Sequence, residues 1–261
     1  MKNVPLLSLL AYPLAKNWIA GKTISEALIY SKVANARGFS VILNYLGEEV
    51  ENRNEVEETL REYKHLLDLF QPNRIVGCVS AKLTQLGLKI DKDYCRKNLA
   101  EIAGHADGLG RFVWIDMESS RFTDDTINIY KTVFATNKNV GICIQSYLRR
   151  SELDVEKLLR MGGKIRLVKG AYNEPPTIAY KTRKEIDRNY ARLMERLFKT
   201  TTSVFSVATH DDKLVDKAIR INEKYPKNFE FAFLKGIRDN LKLQLVYKGF
   251  RVTEYIPYGQ N

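Results

Sequence analysis

Eight short apolar runs recur along the chain, separated almost everywhere by longer segments with helical periodicity. That alternation constrains the fold more than any single residue. The runs are Ser40–Tyr45, Ile75–Ser80, Phe112–Met117, Val140–Gln145, Ile165–Lys169, Val204–Ala208, Phe229–Phe233 and Arg251–Ile256. Helical stretches lie between them at about 52–70, 91–106, 123–136, 151–160, 183–199, 211–223 and 238–248. Several runs are continuously apolar, as parallel strands covered on both faces must be. Asp211-Asp212 offers an N-cap before Leu214, Val215, Ala218 and Ile219, and Asp187, Tyr190, Leu193, Met194 and Leu197 recur at helical intervals. No linker, low-complexity tract or composition shift divides the 261 residues, a length able to bury one large core. The pattern predicts the α/β class: a (β/α)8 TIM-type barrel over 39–261, with an N-terminal helical segment, 1–38, packed on it. The eighth run ends near Pro257 and the sequence stops at Asn261, so the expected eighth helix is missing or truncated. A doubly wound sheet is the runner-up, but no glycine-rich dinucleotide loop supports it.

Composition narrows the function classes. The formal net charge is +11, yet the cations are spread along the chain and interleaved with 31 acids. No long basic run or arginine-rich tail is present, so nucleic-acid binding is not expected. A basic exterior also suits an anionic membrane surface. Cys78, Cys95 and Cys143 have no CxxC spacing, which fits a reducing compartment, and a cytoplasmic location is expected. His65, His105 and His210 are scattered, so no metal site is expected. The stretch from Val4 to Ala11 resembles a signal-peptide core, but it is short and Pro13 follows it. It is read as an amphipathic helix on the body of the protein, with peripheral contact at the inner face of a membrane as the alternative.

In such a barrel, chemistry gathers at the C-terminal ends of the strands. Strand two runs into Ser80-Ala81-Lys82-Leu83-Thr84, and strand three ends in Ile115-Asp116-Met117-Glu118. Strand four supplies Gln145, strand five supplies Arg166 and Lys169 followed by Tyr172, and strand six leads to Thr209-His210-Asp211. Strand seven carries Glu230 and strand eight Tyr255. Taken singly, each has an ordinary reading. Asp116 or Glu118 caps a helix, Lys82 is a solvated loop lysine, His210 satisfies a turn, and Gln145 bonds the backbone. Together they put carboxylates and several cations on one rim, an arrangement suited to pKa tuning and anion capture. No nucleophile elbow is present. Asp116 and Glu230 could form a glycosidase carboxylate pair, but they would sit among many cations. The surplus positive charge better fits an anionic cofactor.

These segments resemble the proline dehydrogenases, both the monofunctional enzymes and the domain of bifunctional proline-utilisation proteins. The matching stretches run in order: Tyr45 to Glu48, Val79 to Gly87, Ile115 to Glu118, Gln145 to Leu148, Arg166 to Tyr172, Ala208 to His210, Phe229 to Phe231 and Tyr255 to Gly259. The resemblance implies an FAD-containing barrel that oxidises L-proline to Δ1-pyrroline-5-carboxylate, the first step of proline catabolism, and passes electrons to a quinone or other acceptor. It implies that Arg166 lies by the flavin N5 edge and stabilises negative charge, a large catalytic term when preorganised. Gln145 would bond the flavin ring, and Lys169, Thr209 and His210 would hold the rest of FAD. Lys82 would pair with the proline carboxylate, Tyr255 would pack on the pyrroline ring, Tyr172 would shape the pocket, and Asp116 would position the cations. Glu48 would be a substrate gate.

Two departures stand out. The family usually follows strand eight with a helix carrying paired arginines, which clamp the substrate carboxylate and meet the counterpart of Glu48. The sequence ends before such a helix. Losing a bidentate cation would cost about 2–4 kcal/mol of binding. Three accounts are open: a truncated chain, a partner subunit or second copy that supplies the cations, or Lys82 sufficing with Arg149 or Arg150. A flavin-binding subunit that is inactive or partner-dependent is therefore the alternative function. The smaller departure is Ala232, where the family often has Gln.

Overall fold

The computed structural model describes residues 18–259, so the expected helix around Val4–Ala11 lies outside the described residues. The eight strands are β1 (Ser40–Tyr45), β2 (Gly77–Ala81), β3 (Val113–Ile115), β4 (Val140–Gln145), β5 (Ile165–Val168), β6 (Phe205–Ala208), β7 (Phe229–Leu234) and β8 (Arg251–Tyr258). They form a closed, all-parallel barrel in sequence order, sealed by β8 beside β1 with Ser40 opposite Thr253 and Tyr45 opposite Tyr258. The expected strand limits shift by no more than two residues. Pro257 does not stop β8. It pairs with Asn44, and its carbonyl accepts from Ala20 N at 2.8 Å, so its missing N–H leaves the barrel closure intact.

Helix α1 (Ile24–Ala36) precedes β1 and packs on β1 and β8. Seven helices follow β1 to β7 in turn: α2 (Arg53–Asp68), α3 (Lys92–Gly108), α4 (Thr123–Thr136), α5 (Ser151–Arg160), α6 (Arg183–Thr200), α7 (Asp212–Lys224) and α8 (Asp239–Tyr247). Their starts follow the local chemistry. Thr23 and Thr182 each make a full capping box, with Glu26 and Glu185, and the Asp211 carboxylate accepts from Lys213 N at 3.1 Å. Lys242 of α8 is fully buried, yet it is paired with Glu254 of β8 and with Asp239, which also holds Arg37 at 2.9 Å. This network ties α1, α8 and β8 together.

Outward-facing strand residues such as Leu43, Val79, Ile115, Leu167 and Val207 are fully buried beneath the helices. The barrel axis is filled differently. Trp114 lies over Gly141, its partner on the neighbouring β4, where a Cβ would lie 2.4 Å from the indole, so the ring fits only because that position carries no side chain. Above Trp114 the interior becomes polar, and the candidate site begins there.

Candidate active site

A cavity of about 640 Å³ opens at the C-terminal ends of the strands. Its floor is built on Arg166, one step into β5 and in register with Cys143 of β4 and Ser206 of β6. The Arg166 side chain is 4% exposed, so its charge must be met inside the protein. Its Nη2 pairs with the Asp116 carboxylate and donates to Ser80 Oγ at 3.1 Å, while Nε donates to Cys143 Sγ at 2.7 Å. The guanidinium lies between the rings of Trp114, at 5.2 Å, and Tyr255, at 5.4 Å. Asp116 also accepts from Ser80 Oγ and from the Tyr255 hydroxyl, both at 2.7 Å. Burial and the neighbouring Asp116 charge hold the Tyr255 phenol well above its ordinary pKa, so it stays a neutral donor. Burial alone would lower the Arg166 pKa, but Cys143 and Asp116 raise it above its ordinary value. One nitrogen of this fixed cation, Nη1, is buried and has no protein partner.

On the β5–β6 side, Lys169 binds Asp187 at 2.5 Å and Asp211 at 2.9 Å, and Arg183 reaches Asp211 at 3.1 Å. Burial would raise the Asp211 pKa, but bonds from Lys169 and Arg183 prevail and pull it down to about 2. The same carboxylate is the α7 cap described above. His210 accepts from Leu234 N through Nε2 at 3.0 Å. Partial burial and the nearby Lys242, Arg238 and Lys169 lower its pKa, so it is neutral at pH 7 with the proton on Nδ1. Gly170, at φ +110°, lets the chain turn against Tyr147, whose ring would be 2.2 Å from an added Cβ.

On the β1–β3 side, Glu48 accepts from the Tyr172 hydroxyl at 3.2 Å and faces Lys82 at 3.5 Å. Burial, more than the adjacent Glu48, keeps Tyr172 protonated. Glu118, 2% exposed, accepts from Thr84 N at 3.1 Å and from the Thr84 hydroxyl. Burial pushes its carboxyl up to about 7 against those two bonds. Gln145 Nε2 donates to the Glu118 carbonyl at 2.9 Å.

The structure thus brings Lys82, Asp116, Arg166, Tyr172, Tyr255, Gln145, Lys169, Thr209 and His210 onto one cavity wall, with Glu48 at its edge through Lys82 and Tyr172. The ordinary readings also hold for His210 and Gln145, which satisfy backbone groups while lining the cavity. Arg149 and Arg150 do not join them. Arg150 is tied to Asp124 and Asp154, and Arg149 bonds Pro176 O and stacks on Tyr180. They begin the connection to α5, outside the wall, so they do not supplement Lys82. Glu230 is not on the wall either; it accepts from Thr253 Oγ1 at 2.7 Å, which removes the glycosidase pair. Sequence reasoning passed over Cys143, Arg183 and the second task of Asp211. Cys143 was accessible in principle, because residues two apart on β4 face the same way and Gln145 was already placed. Arg183 carried no signal, since only the fold brings it to Asp211.

A family model described as proline dehydrogenase matches residues 29–261. Proline dehydrogenase 2 of Bacillus subtilis is 30% identical over 260 residues, covering 95% of this chain and 86% of that protein. Proline dehydrogenase of Deinococcus radiodurans is 33% identical over 256 residues, covering 95% of this chain and 82% of its own length. Among solved structures, the chain is similar to proline utilization A from Bdellovibrio bacteriovorus inactivated by N-propargylglycine, with a TM-score of 0.86 and 24% identity. That match covers 97% of this chain but only 32% of the larger one, and it speaks for the fold.

Proposed function

The chain belongs to the proline dehydrogenase family, an oxidoreductase family of proline catabolism, and on that premise we propose that it oxidises L-proline to Δ1-pyrroline-5-carboxylate with FAD held in the cavity above Arg166. The observation that carries the cofactor assignment is the buried Nη1 of Arg166, a charged donor with no partner in the protein. The rest of the guanidinium is immobilised, so that donor is preorganised for an acceptor on an electron-rich ring. FAD, when bound, would take up the hydride from the ring carbon next to the proline nitrogen.

The residues of this chain would divide the remaining work. Gln145 keeps its amide carbonyl for a donor on the ring, because its NH₂ is used by Glu118. Lys169, Thr209 and His210 would hold the ring and its phosphate-bearing tail, His210 through its Nδ1 proton. The cation pair Lys169 and Arg183 has the chemistry for phosphate, and Asp187 and Asp211 balance it meanwhile. Lys82 would bind the proline carboxylate, displacing part of its interaction with Glu48. Tyr255, held by Asp116, would press its ring on the pyrrolidine, and Tyr172 would close the side. With the substrate so fixed, the substrate amine loses its proton before hydride departs; no side chain acts as a nucleophile. Proximity and orientation are the protein's main contribution.

A quinone or another electron acceptor would take the electrons onward. No described helix is long and apolar enough to cross a membrane. Cysteines without CxxC spacing fit a cytoplasmic protein, and a net charge of +11 would suit contact with an anionic inner membrane face. Purified protein reconstituted with FAD should show flavin absorption that bleaches on adding proline. Protein that takes up no FAD, or a flavin spectrum indifferent to proline, would sink this reading.

A further inference from the structure

The Glu118 side chain has no task in the steps above, yet it is among the most deeply buried carboxylates of the cavity region. It lies three residues past the end of β3, beside the turn that follows β2. The far side of that turn is pinned to α3, where Cys95 Sγ donates to Leu83 O at 3.4 Å and Asn98 Nδ2 to Leu86 O at 3.0 Å. The near side, which carries Lys82, is pinned by Glu118 through both donors of Thr84. Thr84 passes the constraint on. Its Oγ1 accepts from Glu49 N at 2.9 Å and its carbonyl from Val50 N at 3.1 Å, which fixes the loop holding Glu48. The Glu118 carbonyl meanwhile fixes Gln145.

We propose that Glu118 is a positioning residue for substrate binding: by clasping Thr84 it sets the places of Lys82 and Glu48 at the cavity mouth. The donor pattern selects the chemistry. Thr84 offers Glu118 an N–H and an O–H, and its hydroxyl oxygen is already taken by Glu49 N–H. Only a group with an acceptor on each of its two terminal atoms completes the set, which the two oxygens of a carboxyl group provide and a carboxamide, with one oxygen and one NH₂, does not. Glu48 and Lys82 are the charged groups facing it, with Tyr172 and Cys95 beyond them, and the opposing effects of Glu48 and Lys82 leave burial as the dominant influence on its protonation. A buried carboxyl at this place is costly unless it is bonded on both oxygens. The inference rests on the reading that Lys82 takes the substrate carboxylate.

The test compares Glu118→Gln, Thr84→Val and Thr84→Ser with the wild type in the FAD-loaded protein. Amide hydrogen exchange over 46–52 and 82–90 reads the clasp directly, without reference to activity. Glu118→Gln and Thr84→Val should speed exchange in both segments, and Thr84→Ser should restore it. The Michaelis constant for proline, and the dissociation constant for tetrahydrofuran-2-carboxylate, a ring acid with no oxidisable nitrogen, should rise on the order of tenfold, with kcat within about twofold of wild type. Unchanged exchange in the Gln and Val variants would overturn the clasp. Faster exchange with unchanged binding of both ring acids would overturn its bearing on substrate. Failure of the wild type to oxidise proline would count against the proposed activity instead, and the exchange result would still decide whether Glu118 orders the mouth.

Discussion

The two sides of the barrel mouth hold their carboxylates in opposite ways. On the β1–β3 side, Glu118 is met by the neutral donors of Thr84 and its carboxyl is pushed up to about 7. On the β5–β6 side, Asp211 is crowded by Lys169 and Arg183 and is pulled down to about 2. Burial acts in the same direction on both, so the partners make the difference. Neutral donors fix geometry and leave the local charge nearly balanced, which would suit the orientation of a small zwitterion in the proposed reaction. Cations held by replaceable carboxylates keep positive charge in reserve, which suits the tail of an anionic cofactor. Arg166 stands between the sides, bonded to Asp116 of the β3 end and to Cys143 of β4.

Removing that centre should have the largest effect. Arg166→Met should slow proline-driven bleaching of the flavin by at least about 10²-fold. It should also destabilise the fold by about 3–5 kcal/mol, because Asp116 is left buried without its cation. Stopped-flow absorbance and urea unfolding measure the two effects, and near-wild-type bleaching would show that the sides work without their centre.

The next effect is on the neutral side and is opposite in sign to ordinary acid unfolding. The folded protein holds the Glu118 proton more tightly than the unfolded chain, whose ordinary value is 4.5. The stability this gives is complete below about 4.5 and is lost as pH rises to about 7, ~3 kcal/mol at most. Urea midpoints across that window should carry this downward contribution, and Glu118→Gln should remove it. An identical pH profile in the variant would mean that Glu118 titrates normally and that the contrast between the sides is false.

The smallest effect belongs to the cationic side. The Asp211 pKa is depressed, so its stabilisation is present above 3.8 and is lost as pH falls toward about 2. Screening by solvent at the rim keeps this to about 1–2 kcal/mol. Asp211→Asn should flatten the acid limb of the same unfolding series. A variant as acid-sensitive as the wild type would remove the distinction from this direction.

Much of the site was legible because strand ends are local. Lys169, Gln145, Thr209 and His210 each end or follow an apolar run, and the barrel rule alone sends such positions to one rim, whereas Arg166 lies one step into β5 and was picked out by the motif around it. Tyr255 and Asp116 were legible as members of the rim, but not as partners, since 139 residues separate them. Glu118 was visible as a strand-end carboxylate with a capping role on offer. Its actual partner is Thr84, on the neighbouring strand's loop. Asp211 was read correctly as an N-cap, but its second oxygen serves Lys169 and Arg183, which no local pattern indicates. Arg149 and Arg150, left open as helpers of Lys82, show the converse: they do follow β4, but Asp124, Asp154 and Tyr180 engage them.

The sequence by itself determined the barrel, the order of its strands and most of the residues at its mouth. Those follow from periodicity, capping and the apolar content of each segment, all set within a few residues. Tertiary structure alone decided which of the mouth residues are charged, which are already engaged and which keep an open bond. Those properties depend on burial and on partners distant in the chain. Arg166 shows the division: its place on β5 could be read from seven letters, while its single unpartnered nitrogen exists only because Asp116, Ser80 and Cys143 converge on the others.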